Sequence, residues 1–583
     1  MFFALQVIVF LILLLLSEKI KAESKFSIPH NVSAITIKVF YVLLIIGGLA
    51  TTFMNFRDTL LYNSIISLTP LVLILLITSS FSSKLTLATA IMWHYMLMAP
   101  EIGGDFVSVT EGVHMTRTMV FYGRWLPELA HNPSYNPFPT MAFVRAALSL
   151  LTGLPWYNQG TALLTLVIII VAFDLAVHIF SSKIFSDSRV GIIAIFIFAL
   201  TPYLSVTSHA YQVPATLLWF LSVYMLIQRL SSFQRKYSIL AMLLFASAIL
   251  THTTAYIEMI LPIVLLSLKY FGRIINLKSP EMEYPHIKTM ALLIIVIGLT
   301  RFVFESLYAY YVGKMFFNTV GDLVVRIFLG EEIEIKPTLY EYGGVPFYQA
   351  FLWSLTASLA CALIIQGFLK KSVNPVLLSL FLTASIFMGL GYLTAVIVRG
   401  ATQIHRGSYA AFMLLVPSAA LTMKKIMDAK SKPLVITLSL IMLLSSCLAL
   451  NDPELSPNIA MRVRGIPEEA RVGSLEDLIK ASYITNFAKD LRVINNITLY
   501  SEDTLVYERV TAYGEKIKVV YSKIRDALYK TLYINGYTFR DKPIFTINCI
   551  LPEEFEERCL AFNVIYSSGR EVFFMPGFQL NGV

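Results

Sequence analysis

The sequence predicts an all-α polytopic bundle of about 13–14 transmembrane helices, followed by a small α/β domain outside the cytoplasm. Of its 583 residues, 56% are hydrophobic and only 14% are charged, whereas soluble domains carry about 25% charged residues. The apolar residues also form blocks of roughly 16–22 residues, the length that crosses about 30 Å of hydrocarbon. From Asn451 onward the composition becomes an ordinary mixture of polar and apolar residues.

The apolar blocks give the expected membrane spans. They lie near residues 2–16, 37–54, 63–81, 85–100, 161–180, 190–207, 214–228, 238–256, 257–271, 289–311, 347–368, 375–398, 408–423 and 434–450. The first block lacks a basic n-region and a small-residue cleavage site, so we expect it to be retained as a span rather than removed as a signal peptide.

Basic residues separate the turns between spans into two sets. The basic set holds Lys19, Lys21, Lys25, Lys84, Lys183, Arg189, Arg229, Arg235, Lys236, Arg273, Lys278, Lys288, Lys370, Lys371, Lys424, Lys425, Lys430 and Lys432. Because basic turns stay in the cytoplasm, the other set, with long loops 101–158 and 312–346, faces outside a cell membrane crossed many times. The net charge of +9 is therefore a topology signal, and a nucleic-acid partner is excluded.

The chain divides into three expected parts. They are N-terminal helices over 1–84, a membrane module over 85–450 and an extracytoplasmic α/β domain over 451–583. In the last part, strands are expected at 497–500, 517–521, 544–550 and in a hairpin around 564–574, with helices at 467–480 and 522–533.

The first outside loop, residues 101–158, contains the main candidate site. Glu101 and Asp105 follow directly on a span, separated by Gly103-Gly104. A carboxylate at the headgroup level is partly desolvated, which makes it a stronger base toward a hydroxyl. Farther along, Glu111 and His114 are spaced i, i+3 and share a face of a helix. The plain alternative is that these are solvated loop charges.

The rest of this loop predicts a helix and a stiff segment. Residues 108–125 read as a helix lying along the membrane interface, with an apolar side. Tyr135-Asn-Pro-Phe-Pro139 then precedes the next helix. By itself this proline-containing stretch is only a stiff turn. Its combination with Asp105 and an interfacial helix in one loop favours a site.

A second cluster lies in a short outside loop, where positive charge runs against the topology rule. It contains Arg399, His405 and Arg406 within eight residues. Arginine binds phosphate oxygens in bidentate fashion, so a lipid phosphate or pyrophosphate explains the cluster. Snorkelling toward lipid headgroups is the alternative interpretation.

At these residues the chain resembles the GT-C superfamily of membrane glycosyltransferases. Asp105, the 108–125 helix and the Tyr135–Pro139 stretch follow that family's order, and Ala146–Pro155 is similar to its segment leading to the next span. His405-Arg406, followed by Tyr409, Phe412 and Pro417, is similar to a late GT-C helix. The resemblance covers about residues 85–450.

The chain departs from the family pattern in three ways, which limit the family members that it resembles. Spans precede the acidic loop, which is typical of an N-terminally extended, archaeal-type variant. The Trp-Trp-Asp signature of oligosaccharyltransferases is absent, which argues against transfer of whole glycans to asparagine. Residues 201–213 contain no Asp or Glu, so a two-site acidic metal arrangement is not supported.

The resemblance implies an inverting transfer of a sugar from a polyprenyl (dolichyl) phosphate donor on the outer face. Asp105 would deprotonate the acceptor hydroxyl, while Arg399, His405 and Arg406 would hold the phosphate leaving group. Glu101, Glu111 and His114 would position donor or acceptor. Membrane lipids surround the chain, the acceptor is a protein, lipid or glycan, and the need for a divalent cation (Mg²⁺ or Mn²⁺) stays open.

Two other classes of function remain as alternatives. A transporter or flippase of lipid-linked sugars also has many spans, but such proteins usually contain internal repeats with paired broken helices. No such repeat is visible in the sequence. A non-catalytic scaffold of surface glycan assembly predicts that Asp105 and Arg406 can be changed without loss of function.

Overall fold

The computed structural model describes the chain in stretches. These are residues 2–19, 60–78, 83–105, 140–154, 159–200, 212–232, 234–251, 346–397, 402–429 and 432–450, the five strands between 497 and 576, and positions 42, 46, 116, 119, 120, 123, 124, 292, 295, 296 and 329. The expected span at 257–271 lies outside these stretches. The expected spans at 37–54 and 289–311 include only single described positions, which are helical.

Twelve helices are given labels here. They are α1 (Phe2–Lys19), α2 (Leu60–Thr78), α3 (Ser83–Asp105), α4 (Thr140–Thr152), α5 (Gln159–Phe185), α6 (Ser188–Ala199), α7 (Gln212–Ser232), α8 (Arg235–Thr251), α9 (Pro346–Leu369), α10 (Pro375–Ile397), α11 (Thr402–Asp428) and α12 (Lys432–Leu450). Each of them except α4 overlaps an expected span.

The helix ends differ from the expected ones where polar residues extend an apolar block. Helix α3 continues through Asp105 instead of ending near residue 100, and α11 begins at Thr402 instead of 408. Helix α6 ends at Ala199, before Thr201-Pro202, and a proline disfavours helical backbone at the residue before it. Among the described residues, one stretch, Val167–Phe185, is both long and apolar enough to cross a membrane.

The described chain forms two compact units. The first contains Met1–Ile102 and Leu163–Pro467, and therefore most of the helices. The second joins Gly103–Ala162 to Glu468–Val583. The predicted division at 84 and 450 stays a prediction, but the first outside loop and the C-terminal region belong to the same compact unit.

The core of the first unit is built around α6, which is buried from Val190 to Ala199. Trp93 of α3 stacks on Phe196 with ring centroids 4.8 Å apart. The indole N–H of Trp93 donates to the Ile66 carbonyl of α2 over 3.0 Å. Phe173 of α5 stacks on Phe198 at 5.8 Å. Aromatic burial of this kind contributes more per residue than any other side-chain packing.

Gly191 sets the distance between α5 and α6. A Cβ atom at this position would overlap Ser182 Oγ and His178 Nδ1 of α5. Only glycine therefore allows the α6 backbone to approach this face of α5 so closely.

A network of four charged residues joins the α5–α6 turn to the end of α11. Asp187 lies 3.2 Å from Arg189 Nη2 and 3.1 Å from Lys424 Nζ. Asp428 lies 2.6 Å from Lys424 Nζ and 3.5 Å from Arg189 Nη1. Asp187 is also the N-cap of α6, because its carboxylate accepts from the Arg189 backbone N–H over 2.9 Å.

A second set of polar contacts lies at the same ends of the helices. Glu18 of α1 pairs with Lys370, which follows α9. Lys425 of α11 donates to Gln366 of α9 over 3.4 Å. The basic turns after α1, α5, α9 and α11 therefore meet at one end of the bundle, called the basic end below. The charge pattern of the sequence predicts this, because it assigns all of these turns to the same side of the membrane.

Helix α11 carries a proline among buried residues. Pro417 follows Met413–Val416, and all of these residues are buried. Proline lacks the N–H that would bond to the carbonyl four residues earlier, so the helix is weakened at this point. The half of α11 before Pro417 contains His405 and Arg406, and the other half reaches the basic end.

The second unit contains a five-stranded mixed sheet of order β2-β1-β3-β5-β4. Its strands are β1 (Ile497–Ser501), β2 (Ile517–Tyr521), β3 (Lys542–Asn548), β4 (Phe562–Ser567) and β5 (Glu571–Pro576). Strand β1 pairs in parallel with β2 and β3, and β5 pairs antiparallel with β3 and β4. The strands occur near the predicted positions. The helices expected beside them lie outside the described residues, so the α/β class stays a prediction.

Asp187 gives a testable prediction about stability at the basic end. Burial raises its pKa, but the hydrogen bonds from Arg189 and Lys424 outweigh burial and hold the pKa below its usual value. A carboxylate with a lowered pKa in the folded state stabilises the fold above about pH 4, and this contribution is lost as the pH falls further. In detergent, Asp187→Asn is expected to lower the apparent melting temperature at pH 7 and to reduce its decline under acid.

Asp187→Ala separates the cap from the charge. Asparagine still caps a helix, whereas alanine loses the cap as well, at a cost of about 1–2 kcal/mol. The alanine variant should therefore melt below the asparagine variant at pH 7. Equal melting temperatures for the two variants would show that the N-cap contributes nothing here.

Candidate active site

Asp105 is the last residue of the long helix α3. The helix starts at Ser83 and covers about 33 Å along its axis. The charge pattern of the turns, with Lys84 in the first turn of α3, predicts that this helix starts on the cytoplasmic side. On that prediction Asp105 ends α3 on the outside face. Glu101 lies one turn earlier on α3.

The segment after Asp105 contains a helical piece, as expected, but it ends earlier. Thr116, Met119 and Val120 are helical. Gly123 has φ +67°, and its N–H donates to the Met119 carbonyl over 2.9 Å. A glycine in this left-handed conformation ends a helix. Gly123 lies close to the expected helix end near Trp125, while Glu111 and His114 lie outside the described residues.

Helix α4 follows the Tyr135–Pro139 stretch and was not separately predicted. Phe143, Leu150 and Leu151 are exposed on it, by 51%, 63% and 84%. By contrast, Arg145 and Ser149 are buried. Gly153, at φ +70°, ends the helix with a bond to the Ser149 carbonyl. An apolar outer side with polar residues inside is typical of a helix that contacts lipid.

His405 and Arg406 lie within the first turns of α11, not in a loop. The helix begins at Thr402, and only four residues separate it from the end of α10 at Ile397. Residues 398–401, including Arg399, lie outside the described part of the chain. Helix N-termini have free N–H groups and the positive end of the helix dipole, so they favour anions. Arg406 adds a full positive charge to this end, and His405 adds one when it is protonated.

A buried ionisable pair in the first unit was missed by sequence analysis. His94 Nδ1 of α3 lies 2.8 Å from Asp174 Oδ1 of α5. The side chains of both residues are buried, with 2% and 0% of their surface exposed. Ionisable residues inside apolar blocks signal such a pair. Arg301 and Glu305, which also lie inside an apolar block four residues apart, are outside the described residues.

The described side chains show no site for a metal ion. Among the described residues, no group of three His, Cys, Asp or Glu side chains is arranged to hold a metal ion. The side chains of Glu101 and Asp105 are outside that set. The dependence on Mg²⁺ or Mn²⁺ therefore stays open.

The described positions suit acid–base and phosphate chemistry at helix ends. A carboxylate ends α3, and two basic residues begin α11, each at the end of its helix away from the basic turns. The residues from Gly103 onward belong to the second unit and those of α11 to the first. Each helix end was predicted as part of the outside face.

Comparisons with known proteins give a distant structural similarity. No protein-family model matches the chain, and no curated protein matches it. Among solved structures, it is similar to the Archaeoglobus fulgidus oligosaccharyltransferase in complex with zinc and sulfate, with 11% identity and a TM-score of 0.44. That similarity covers 82% of this chain and 69% of the other chain. A TM-score of this size does not establish a common fold.

Proposed function

We propose that this chain is a membrane glycosyltransferase of the GT-C type, which transfers a sugar from a polyprenyl phosphate to an acceptor on the outer membrane face. The observation that carries the proposal is the position of Asp105 at the last residue of α3, a helix with Lys84 in its first turn. The charge pattern of the turns assigns that far end to the outside. A carboxylate at the outer end of a span is where the GT-C pattern has its acidic residue.

Asp105 is the proposed general base. It would take the proton of the acceptor hydroxyl while the oxygen attacks the anomeric carbon, in a single inverting displacement. The C-terminal end of a helix carries partial negative charge, which disfavours an additional negative charge and favours proton uptake. This position therefore supports a base rather than a mere solvated charge.

His405, Arg406 and Arg399 are the proposed phosphate-binding residues. The leaving polyprenyl phosphate gains negative charge as the sugar departs, and fixed positive charge stabilises it in the transition state. The first turns of α11 add backbone N–H groups to the charges of His405 and Arg406. Snorkelling alone would not require these residues to begin a helix.

Glu101, Glu111 and His114 are proposed to position the donor or the acceptor. The first outside loop and the C-terminal region form one compact unit. This grouping supports a role for the C-terminal domain in recognising the acceptor, which is a protein, a lipid or a glycan. No step of the proposed transfer is assigned to a metal ion.

Removal of the proposed base gives the first test of function. In liposomes supplied with a panel of polyprenyl-phosphate sugars, Asp105→Asn should lower the transfer rate by roughly 10²–10⁴-fold, since general base catalysis contributes that much. Glu18→Gln is the matched control, because Glu18 also lies in the last turn of its helix, at the basic end. Full transfer by Asp105→Asn would rule Asp105 out as the base.

Removal of a phosphate-binding charge gives a second test. Arg406→Ala should lower kcat by roughly 10²–10³-fold, as expected for loss of one donor to a developing anion, and Arg406→Lys should restore part of it. Arg235→Ala is the control, because Arg235 begins α8 in the basic set. If the two alanine variants transfer sugar equally well, Arg406 binds lipid headgroups only.

A transporter or flippase of lipid-linked sugars is the second candidate. It is favoured by the His94–Asp174 pair, since buried ionisable residues in membrane spans often mark transport pathways. The same liposomes distinguish the two functions. A flippase would move the labelled lipid-linked sugar across the bilayer without forming a glycosylated product.

A further inference from the structure

A line of polar residues runs along one face of α5. Asp174, His178, Ser181 and Ser182 are spaced i, i+4, i+7 and i+8 in an otherwise apolar helix, so they share one face. The line starts at Asp174, about 16 Å from the last residue of α5, and ends at the basic end. Polar residues within a membrane span normally face protein or water rather than lipid.

Aromatic side chains pack around the Asp174 end of this line. His94 Nδ1 and Asp174 Oδ1 are 2.8 Å apart. The ring of Phe198 meets the His94 ring edge-on with centroids 5.5 Å apart, and Phe173 stacks on Phe198. His94 is 1% exposed and Asp174 is fully buried. His94 is halfway along α3, so the pair lies in the middle of the bundle.

Charge balance favours one proton on this pair. A carboxylate facing a neutral imidazole leaves a net negative charge in an apolar interior, which is costly. With one more proton the pair is neutral overall. Either the imidazolium Nδ1–H donates to the carboxylate, or the carboxyl O–H donates to Nδ1 of neutral imidazole.

Four polar atoms of the line lack a partner among the described residues. They are Asp174 Oδ2, His178 Nδ1, Ser181 Oγ and Ser182 Oγ, all buried. Some other serines of the bundle bond to a carbonyl one turn earlier, as Ser445 does to Ile441 over 2.7 Å. Buried polar atoms in proteins are nearly always hydrogen-bonded to protein or to ordered water. These four atoms therefore require a small polar partner.

The geometry favours water over a metal ion as this partner. Asp174 and Ser181 are seven residues apart, or about 10 Å along the helix, so they do not contact one ion together. Helix α6 also approaches α5 closely at Gly191, which leaves no room for a large ligand beside His178 and Ser182. Water molecules fit, because each needs only two to four polar partners.

We propose that the His94–Asp174 pair is a proton-binding site in the middle of the bundle, hydrated by water molecules held at Asp174 and the serines of α5. This site is separate from the proposed transferase site, because Asp105 lies eleven residues farther along α3. It holds whether or not the chain transfers sugars.

Other titratable groups lie near the pair. His178 is on α5 itself, Tyr95 follows His94 on α3, and Tyr224 of α7 packs on Phe180 with centroids 6.0 Å apart. Helix α6 contains no titratable residue from Val190 to its end. Lys183, Asp187 and Arg189 lie at the basic end. No lysine, arginine or second carboxylate therefore lies beside the pair in sequence on α3 or α5.

Solid-state NMR on the full chain tests the proposal. The protein is labelled with ¹⁵N-histidine, reconstituted in lipid bilayers, and its ring nitrogens are observed after magnetisation transfer from water. His94→Gln and His178→Gln assign the two resonances. The wild-type His94 ring should receive water magnetisation although it is buried. A His94 signal without any transfer would mean a dry, purely structural pair and would overturn the proposal.

Two variants test the origin of the water and of the proton. Ser181→Ala combined with Ser182→Ala should weaken transfer to His94, whereas Ser379→Ala should not, although Ser379 is also buried without a partner among the described residues. In Asp174→Asn, the ¹⁵N shifts should change from those of a ring sharing a proton with a carboxylate to those of neutral imidazole. Unchanged shifts would show that the pair binds no proton of its own. The wild-type result stands even if a variant does not fold.

Discussion

The ion pairs at the basic end constrain the helices of the first unit. Asp187 and Asp428 share Arg189 and Lys424, and this sharing fixes the start of α6 against the end of α11. Glu18 and Lys370 join α1 to α9 in the same region. Because one end of each of these helices is fixed, the length of the helix decides which residues lie at its other end. For α11 those residues are His405 and Arg406.

Apolar block length predicted most of the helices, but not where they end. The block from 85 to 100 gave α3, yet polar residues continue the helix to Asp105, because backbone hydrogen bonds at a membrane surface do not require apolar side chains. Similarly, His405 and Arg406 were expected in a loop and are helical. Thr201-Pro202 is a stop signal within an apolar block, which explains why α6 is shorter than its block.

The buried contacts between distant segments were beyond sequence analysis. His94 and Asp174 are eighty residues apart, and a single sequence gives no sign that the two face each other. Gly191 likewise stands in an apolar run without marking the close approach of α5. The carboxylate at Asp105 was recognisable because its signal is local, namely an acidic residue at the end of an apolar block.

Pro417 divides α11 into two segments of unequal attachment. The segment after the proline is held by the ion pair between Lys424 and Asp428, and the backbone hydrogen-bonding ladder is weaker where the two segments join. If the chain binds a polyprenyl phosphate as proposed, a tilt of the segment before the proline would make room for the lipid tail. The ion-paired segment would then keep its position.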